Sequence, residues 1–132
     1  MSSDKKYFYG VGRRKTSSAR AKYYIGTEPV VITVNKRPIQ EYFQDFYFQT
    51  INIAVNNLGI TTGEINLFVH GGGTMGQAEA CRLAITKSLV KMEEGFRPIA
   101  RLHGYMSTDI RQVLPKKAGL RKARLREQWS KR

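Results

Sequence analysis

The chain has 132 residues, with 23 Lys and Arg against 10 Asp and Glu, for a formal net charge of +13. That length suits one domain with a modest core, and no apolar run approaches the roughly 20 residues of a membrane-spanning helix. A single cysteine, Cys81, excludes an internal disulfide framework, and Met1–Lys6 lacks the apolar stretch of a secretory signal.

In chain order, Tyr7–Gly12 opens as an aromatic, β-prone strand that loosens at Gly10 and Gly12. Ala19–Ile25 alternates small or apolar with basic residues, the period-two mark of a half-buried strand. Gly26–Pro29 is expected to turn, and Val30–Val34 to form a third strand. Pro38 is placed to open a short helix containing Ile39, Tyr42 and Phe43. Apolar residues at Phe46, Tyr47, Ile51, Ala54, Val55 and Leu58 follow at helical steps, with Gly59 as a stop. The join between these two helices, near Gln44 to Gln49, is not placed by the spacing.

Glu64–His70 then reads as a strand. Thr74 and Gln77 have capping-box spacing at the start of a helix whose apolar stripe is Ala78, Cys81, Ile85, Leu89 and Met92, with Gly95 as its end. Arg97–Leu102 gives a further short helix. Eight of the last eighteen residues are basic, and Leu120, Leu125 and Trp129 are the only large apolar ones, so this stretch is expected to order on binding. The layout is α+β: a flexible N-terminus over 1–6, a globular body over 7–105 and a basic tail over 106–132.

The charge is unevenly spread. Residues 1–24 carry seven basic side chains and one acid, residues 25–100 carry six against seven, and residues 101–132 carry ten against two. An ordinary solvated surface interleaves the signs. A near-neutral middle between two basic ends points to a polyanion, and to nucleic acid before a membrane.

The first basic cluster, Arg13, Arg14, Lys15, Thr16, Ser17 and Arg20, sits in a glycine-led loop. Its guanidinium groups suit bidentate phosphate contacts, Lys15 supplies a point charge and the hydroxyls add short hydrogen bonds. The second cluster, Lys116, Lys117, Arg121, Lys122, Arg124 and Arg126, spaces its charge along a stretch able to follow a folded RNA's phosphates.

Gly71–Gly76 formally matches G-x-G-x-x-G between a strand and a helix, so a dinucleotide-binding enzyme is one alternative. No hydrophobic strand ending in a ribose-binding acid follows, and glycines at such a corner also serve helix–sheet packing. His70–Gly73 resembles a lipase oxyanion strand, yet the chain contains no G-x-S-x-G elbow. His70, His103 and Cys81 lack metal-ligand spacing. No cofactor, metal or small-molecule substrate is expected. A basic RNA chaperone not resident on ribosomes is the second alternative.

Several blocks in fixed order resemble the bacterial-type S9 family, the ninth protein of the small ribosomal subunit. They are Gly12–Arg20, Val69–Ala78, Arg97-Pro98, Lys116-Lys117, Gly119–Arg124 and Ser130–Arg132. The resemblance implies a two-layer α/β sandwich like the second domain of the fifth small-subunit protein, with a left-handed βαβ crossover and a long extended basic C-terminal tail. It further implies a cytoplasmic, non-enzymatic protein of the subunit head that binds 16S-type rRNA beside neighbouring small-subunit proteins. The tail's last residues, Lys131 and Arg132, are implied to approach the anticodon stem-loop of the P-site tRNA. Departures from the family are Leu114-Pro115, where a Glu-Arg pair is usual, and Glu127–Trp129, where proline and phenylalanine are usual.

Overall fold

A computed structural model describes residues 6–131. Its five strands are β1 (Tyr7–Arg14), β2 (Ser17–Pro29), β3 (Val31–Val34), β4 (Arg37–Pro38) and β5 (Thr62–His70). Its four helices are α1 (Ile39–Tyr42), α2 (Asp45–Asn57), α3 (Thr74–Met92) and α4 (Phe96–Leu102). One sheet runs in the order β1-β2-β5-β3-β4, antiparallel except for the β3/β5 pair. This is a mixed α+β body. Burial alternates along β2 and β5, so the helices cover one sheet face and leave the other open.

Helix α3 is the centre of the packing. It lies on β1, β2 and β5, and α2 packs along its side. The expected stripe is buried except at partly covered Met92, but so are Ala80, Ala84, Thr86 and Ser88. Thr86 and Ser88 return their hydroxyls to the carbonyls of Arg82 at 2.9 Å and Ile85 at 2.7 Å, which lets polar side chains sit in the interior.

The glycines of the first strand are packing residues rather than a loosening of it. A Cβ on Gly10 would lie 2.1 Å from the Ala84 carbonyl oxygen, and one on Gly12 would lie 2.0 Å from that of Ala80. The small stripe Ala80, Ala84, Ser88 thus brings the helix backbone against the strand, and only glycine leaves room.

Four local expectations are corrected. Gly26–Pro29 is no turn: β2 continues through it with a register shift between Tyr24 and Pro29. Thr74 is the first residue of α3, and its N-cap is Gly73, which has no side chain to make a cap bond; the Gln77 side chain is used elsewhere. Its Nε2 donates to the Gly71 carbonyl at 3.0 Å and its Oε1 accepts from Tyr42 at 3.0 Å. Gly95 stands before α4 as its N-cap, while α3 ends at Met92. Phe46, placed on the buried stripe of α2, is 66% exposed.

One hairpin escaped the sequence. Asn35 and Lys36 join β3 to β4, both with positive φ (49° and 67°), as the twist of a two-residue hairpin favours. Asn35 tolerates this and exchanges two 2.9 Å bonds with the Val69 backbone, tying the turn to β5. Between α1 and α2 the chain breaks at Phe43 and Gln44, both extended, with Phe43 locked in the core. Beyond Leu102 the described residues form no helix or strand.

Candidate nucleic-acid interface

The first basic cluster is the tip of the β1/β2 hairpin rather than an open loop. Arg13 stands opposite Ser18 and Arg14 opposite Ser17, leaving Lys15 and Thr16 as the turn. Lys15 takes a positive φ of 54°, the left-handed backbone of a tight turn. Arg13, Lys15, Thr16 and Arg20 are exposed, whereas Arg14 is half-buried and Ser17 is buried.

Ser17 explains two of the glycines at the corner that follows β5, Gly72 and Gly76. A Cβ on Gly72 would lie 2.0 Å from Ser17 Oγ, and Gly71 and Gly72 both have positive φ (74° and 65°). A Cβ on Gly76 would also crowd that hydroxyl, at 2.9 Å. The hairpin tip therefore fills the corner between β5 and α3 where a dinucleotide's pyrophosphate would need to lie. Chain packing and backbone conformation thus account for Gly71, Gly72 and Gly76, whereas a Cβ on Gly73, the middle glycine of the spacing, would meet nothing within 4 Å.

Arg14 faces inward to a cluster of charges. Its Nε meets Glu79 Oε2 at 2.5 Å and its Nη2 meets Asp109 Oδ2 at 3.3 Å. Its Nη1 donates to the Arg111 carbonyl at 3.3 Å, and Arg111 Nη2 reaches Asp109 Oδ2 at 2.6 Å. Bonds from the Arg111 side chain and backbone, with a smaller contribution from Arg14, hold the Asp109 carboxyl well below the usual carboxylate range. Arg82 lies over the Tyr105 ring at 5.2 Å, and Asn57 donates to the Tyr105 hydroxyl at 2.9 Å. The chain leaving α4 is thereby fastened back to β1 and α3.

That fastening joins the two basic regions. Arg14, Lys15, Arg111, Gln112 and Val113 line one shallow hollow, so the basic C-terminal stretch departs beside the hairpin tip. Arg13, Lys15 and Thr16 on one side and Arg111 on the other make a single cationic corner, although about 100 residues separate them in sequence.

Further along, Lys116, Lys117, Arg121, Lys122, Arg124 and Arg126 are exposed. Residues 116–125 form a looped turn rather than a straight run. Lys116 Nζ donates to the Leu120 carbonyl at 2.7 Å, and the Arg121 amide donates to that of Leu125 at 2.8 Å. Arg121 has only a loose 3.9 Å approach to Glu127. Lys131 is exposed, and Arg132 lies outside the described residues.

Sequence reasoning missed Glu79, Asp109 and Arg111 as the partners that turn Arg14 inward. Their one visible signal was an acid, Asp109, isolated in a basic stretch. Cys81 is buried in the core, and burial pushes its thiol up, which suits a packing role and not a nucleophile.

The profile of the family described as ribosomal protein S9/S16 matches residues 12–132. The chain belongs to that family. It is also 42% identical over 139 aligned residues to the small ribosomal subunit protein uS9 of Pseudothermotoga lettingae, with 98% of each chain covered. Membership makes the chain a structural ribosomal protein of the small subunit, at work in translation on the ribosome and not an enzyme. The match covers both the hairpin tip and the whole basic C-terminal stretch.

Proposed function

We propose that this protein binds 16S-type rRNA in the head of the small subunit through the cationic corner and the tail. Arg13, Lys15, Thr16 and Arg20 anchor phosphates at the hairpin tip. The body over 7–105 holds that tip in place, and the tail over 106–132 carries Lys116, Lys117, Arg121, Lys122, Arg124 and Arg126 along the RNA. Lys131 and Arg132 end the path at the anticodon stem-loop of the P-site tRNA. Neighbouring small-subunit proteins pack beside the body, whose sheet and helices follow the fold of the second domain of the fifth small-subunit protein, left-handed crossover included.

The observation that carries this reading is the meeting of the two basic regions at one hollow, with exposed cations leading away from it. A surface fixed on one side and adaptable on the other suits a folded RNA, whose phosphates lie at several depths. Arg14 and Ser17 contribute by holding the corner together, Arg14 through its carboxylates and Ser17 through its fit against the glycine turn.

Sedimentation tests the ribosomal part: the chain should migrate with small subunits on a sucrose gradient and stay there through a high-salt wash. Release into the free fraction would contradict it. Removing Lys131 and Arg132 should leave assembly intact and weaken P-site tRNA binding to purified subunits. Unchanged tRNA affinity would overturn the role given to the tip.

A further inference from the structure

The sheet face away from the helices carries an unusual mixture. Tyr7 stands opposite Tyr24 across β1 and β2, with ring centroids 5.6 Å apart. Phe68 on β5 stands opposite Arg20 on β2. Lys22 lies between, its Nζ 4.6 Å from the Tyr7 centroid and 5.8 Å from that of Phe68. Tyr7 is 44% exposed and Phe68 36%.

No ion pair among the described residues uses Arg13, Arg20 or Lys22, all of which point from this face. The acid beside them, Glu64, accepts a 2.9 Å bond from Asn66. Tyr24 and Phe68 are about 14 Å apart along the strands, at about 3.4 Å per residue. That leaves space for a further base above Lys22.

We propose that this open sheet face is a second RNA-contacting surface, taking unpaired nucleotides whose bases stack on Tyr7, Tyr24 and Phe68 while Arg13, Arg20 and Lys22 hold their phosphates. The proposal rests on the RNA-binding reading above and extends it from Arg13 and Arg20, shared with the hairpin tip, onto the open face of the sheet, where Tyr7, Lys22, Tyr24 and Phe68 belong to neither the tip nor the tail. Aromatic rings interleaved with unpaired cations are the device by which sheets hold single-stranded nucleic acid. A protein partner is the poorer fit, because the centres of protein interfaces are depleted in charge and especially in lysine. The flexible stem of Lys22 allows it to trade the rings for a phosphate when a base arrives.

The full chain is to be titrated by fluorescence anisotropy with a labelled uridine 12-mer and with a 12-base-pair RNA duplex. Tyr7→Leu with Phe68→Leu should weaken the 12-mer about tenfold per ring and leave the duplex within about twofold. Arg20→Gln with Lys22→Gln should weaken both and lower the salt slope by about 1 to 2. Circular dichroism verifies that the variants fold. The unmodified chain gives an independent check through photo-cross-linking to a 4-thiouridine 12-mer, with adducts on Tyr7, Tyr24 or Phe68 expected. Adducts confined to the hairpin tip and tail would overturn the proposal, as would 12-mer affinity unchanged in the ring variants. If either of these results is found while the unmodified chain sediments with small subunits and binds both RNAs, only the sheet-face inference fails; if the unmodified chain neither sediments there nor binds RNA, the RNA-binding reading fails with it.

Discussion

The body and the tail of this protein are built under opposite constraints. On the helix side of β1, a methyl group is too much: Gly10 and Gly12 lie against the backbone of α3. In the tail, Val113 and Trp129 are 96% and 83% exposed, so these large side chains meet little of their own chain. The body holds its form by dispersion and burial, which demand close fit. The tail holds charge, which acts at a distance and tolerates variation in the path. On the proposed reading, shape is concentrated in one region and adaptability in the other, with Arg14 and its carboxylates at the border.

The sharpest way to break this contrast is at Gly12. Gly12→Val should destabilise the body by about 3 kcal/mol or more in urea unfolding, since neither helix nor strand backbone can retreat cheaply. Leu125→Ala should leave the same transition within about 0.5 kcal/mol. Comparable losses at both positions would end the distinction between body and tail.

Next in size is removal of residues 116–132, which takes away eight cations. The body's unfolding transition should hardly move, while RNA affinity falls steeply. If about six of those cations neutralise phosphates, the log–log salt slope should become shallower by about 5 on duplex-like RNA. An unchanged slope would show the tail's charge to be idle.

A smaller effect is expected at the border. Arg14→Met leaves Glu79 and Asp109 without their shared cation and should cost about 1–2 kcal/mol, because these groups are only partly solvated. It should also speed tryptic cleavage after Arg111, as the tail root comes away from β1. Equal cleavage rates in variant and parent would mean that the cluster fastens nothing.

The smallest effect is on pH. Asp109 titrates below its unfolded value, so the stabilisation from its contact with Arg111 and Arg14 is full above about pH 3.9 and declines as pH falls from there through the lowered folded value. Its carboxyl carbon, followed by nuclear magnetic resonance, should show no midpoint near 3.9. A midpoint there would remove the electrostatic hold.

Much of the body was legible because its signals are local. Alternation along Glu64–His70 gives β5, helical spacing gives α2 and α3, and positive-φ Gly59 follows α2 where a helix stop was expected. The partition of charge needed only counting. What stayed hidden depends on pairs distant in sequence. Gly10 and Gly12 resemble a strand's end until α3 arrives some 70 residues later and requires them. Arg14 looks like any phosphate-binding arginine until Glu79, 65 positions on, and Asp109 turn it inward. Thr74 and Gln77 have the spacing of a cap, yet Tyr42 and Gly71 claim the glutamine. The Asn35-Lys36 hairpin lacks the glycine that usually announces such a turn, and Asn35 supplies the left-handed backbone instead.

The central claim is that the hairpin tip and the root of the tail act as one RNA-gripping corner. Protein–RNA photo-cross-linking within intact small subunits, with adducts mapped by mass spectrometry, tests it most directly. Adducts are expected on both Arg13–Thr16 and residues 111–117, to neighbouring nucleotides of the same rRNA region. Adducts on the tail alone, with the hairpin tip untouched, would contradict it.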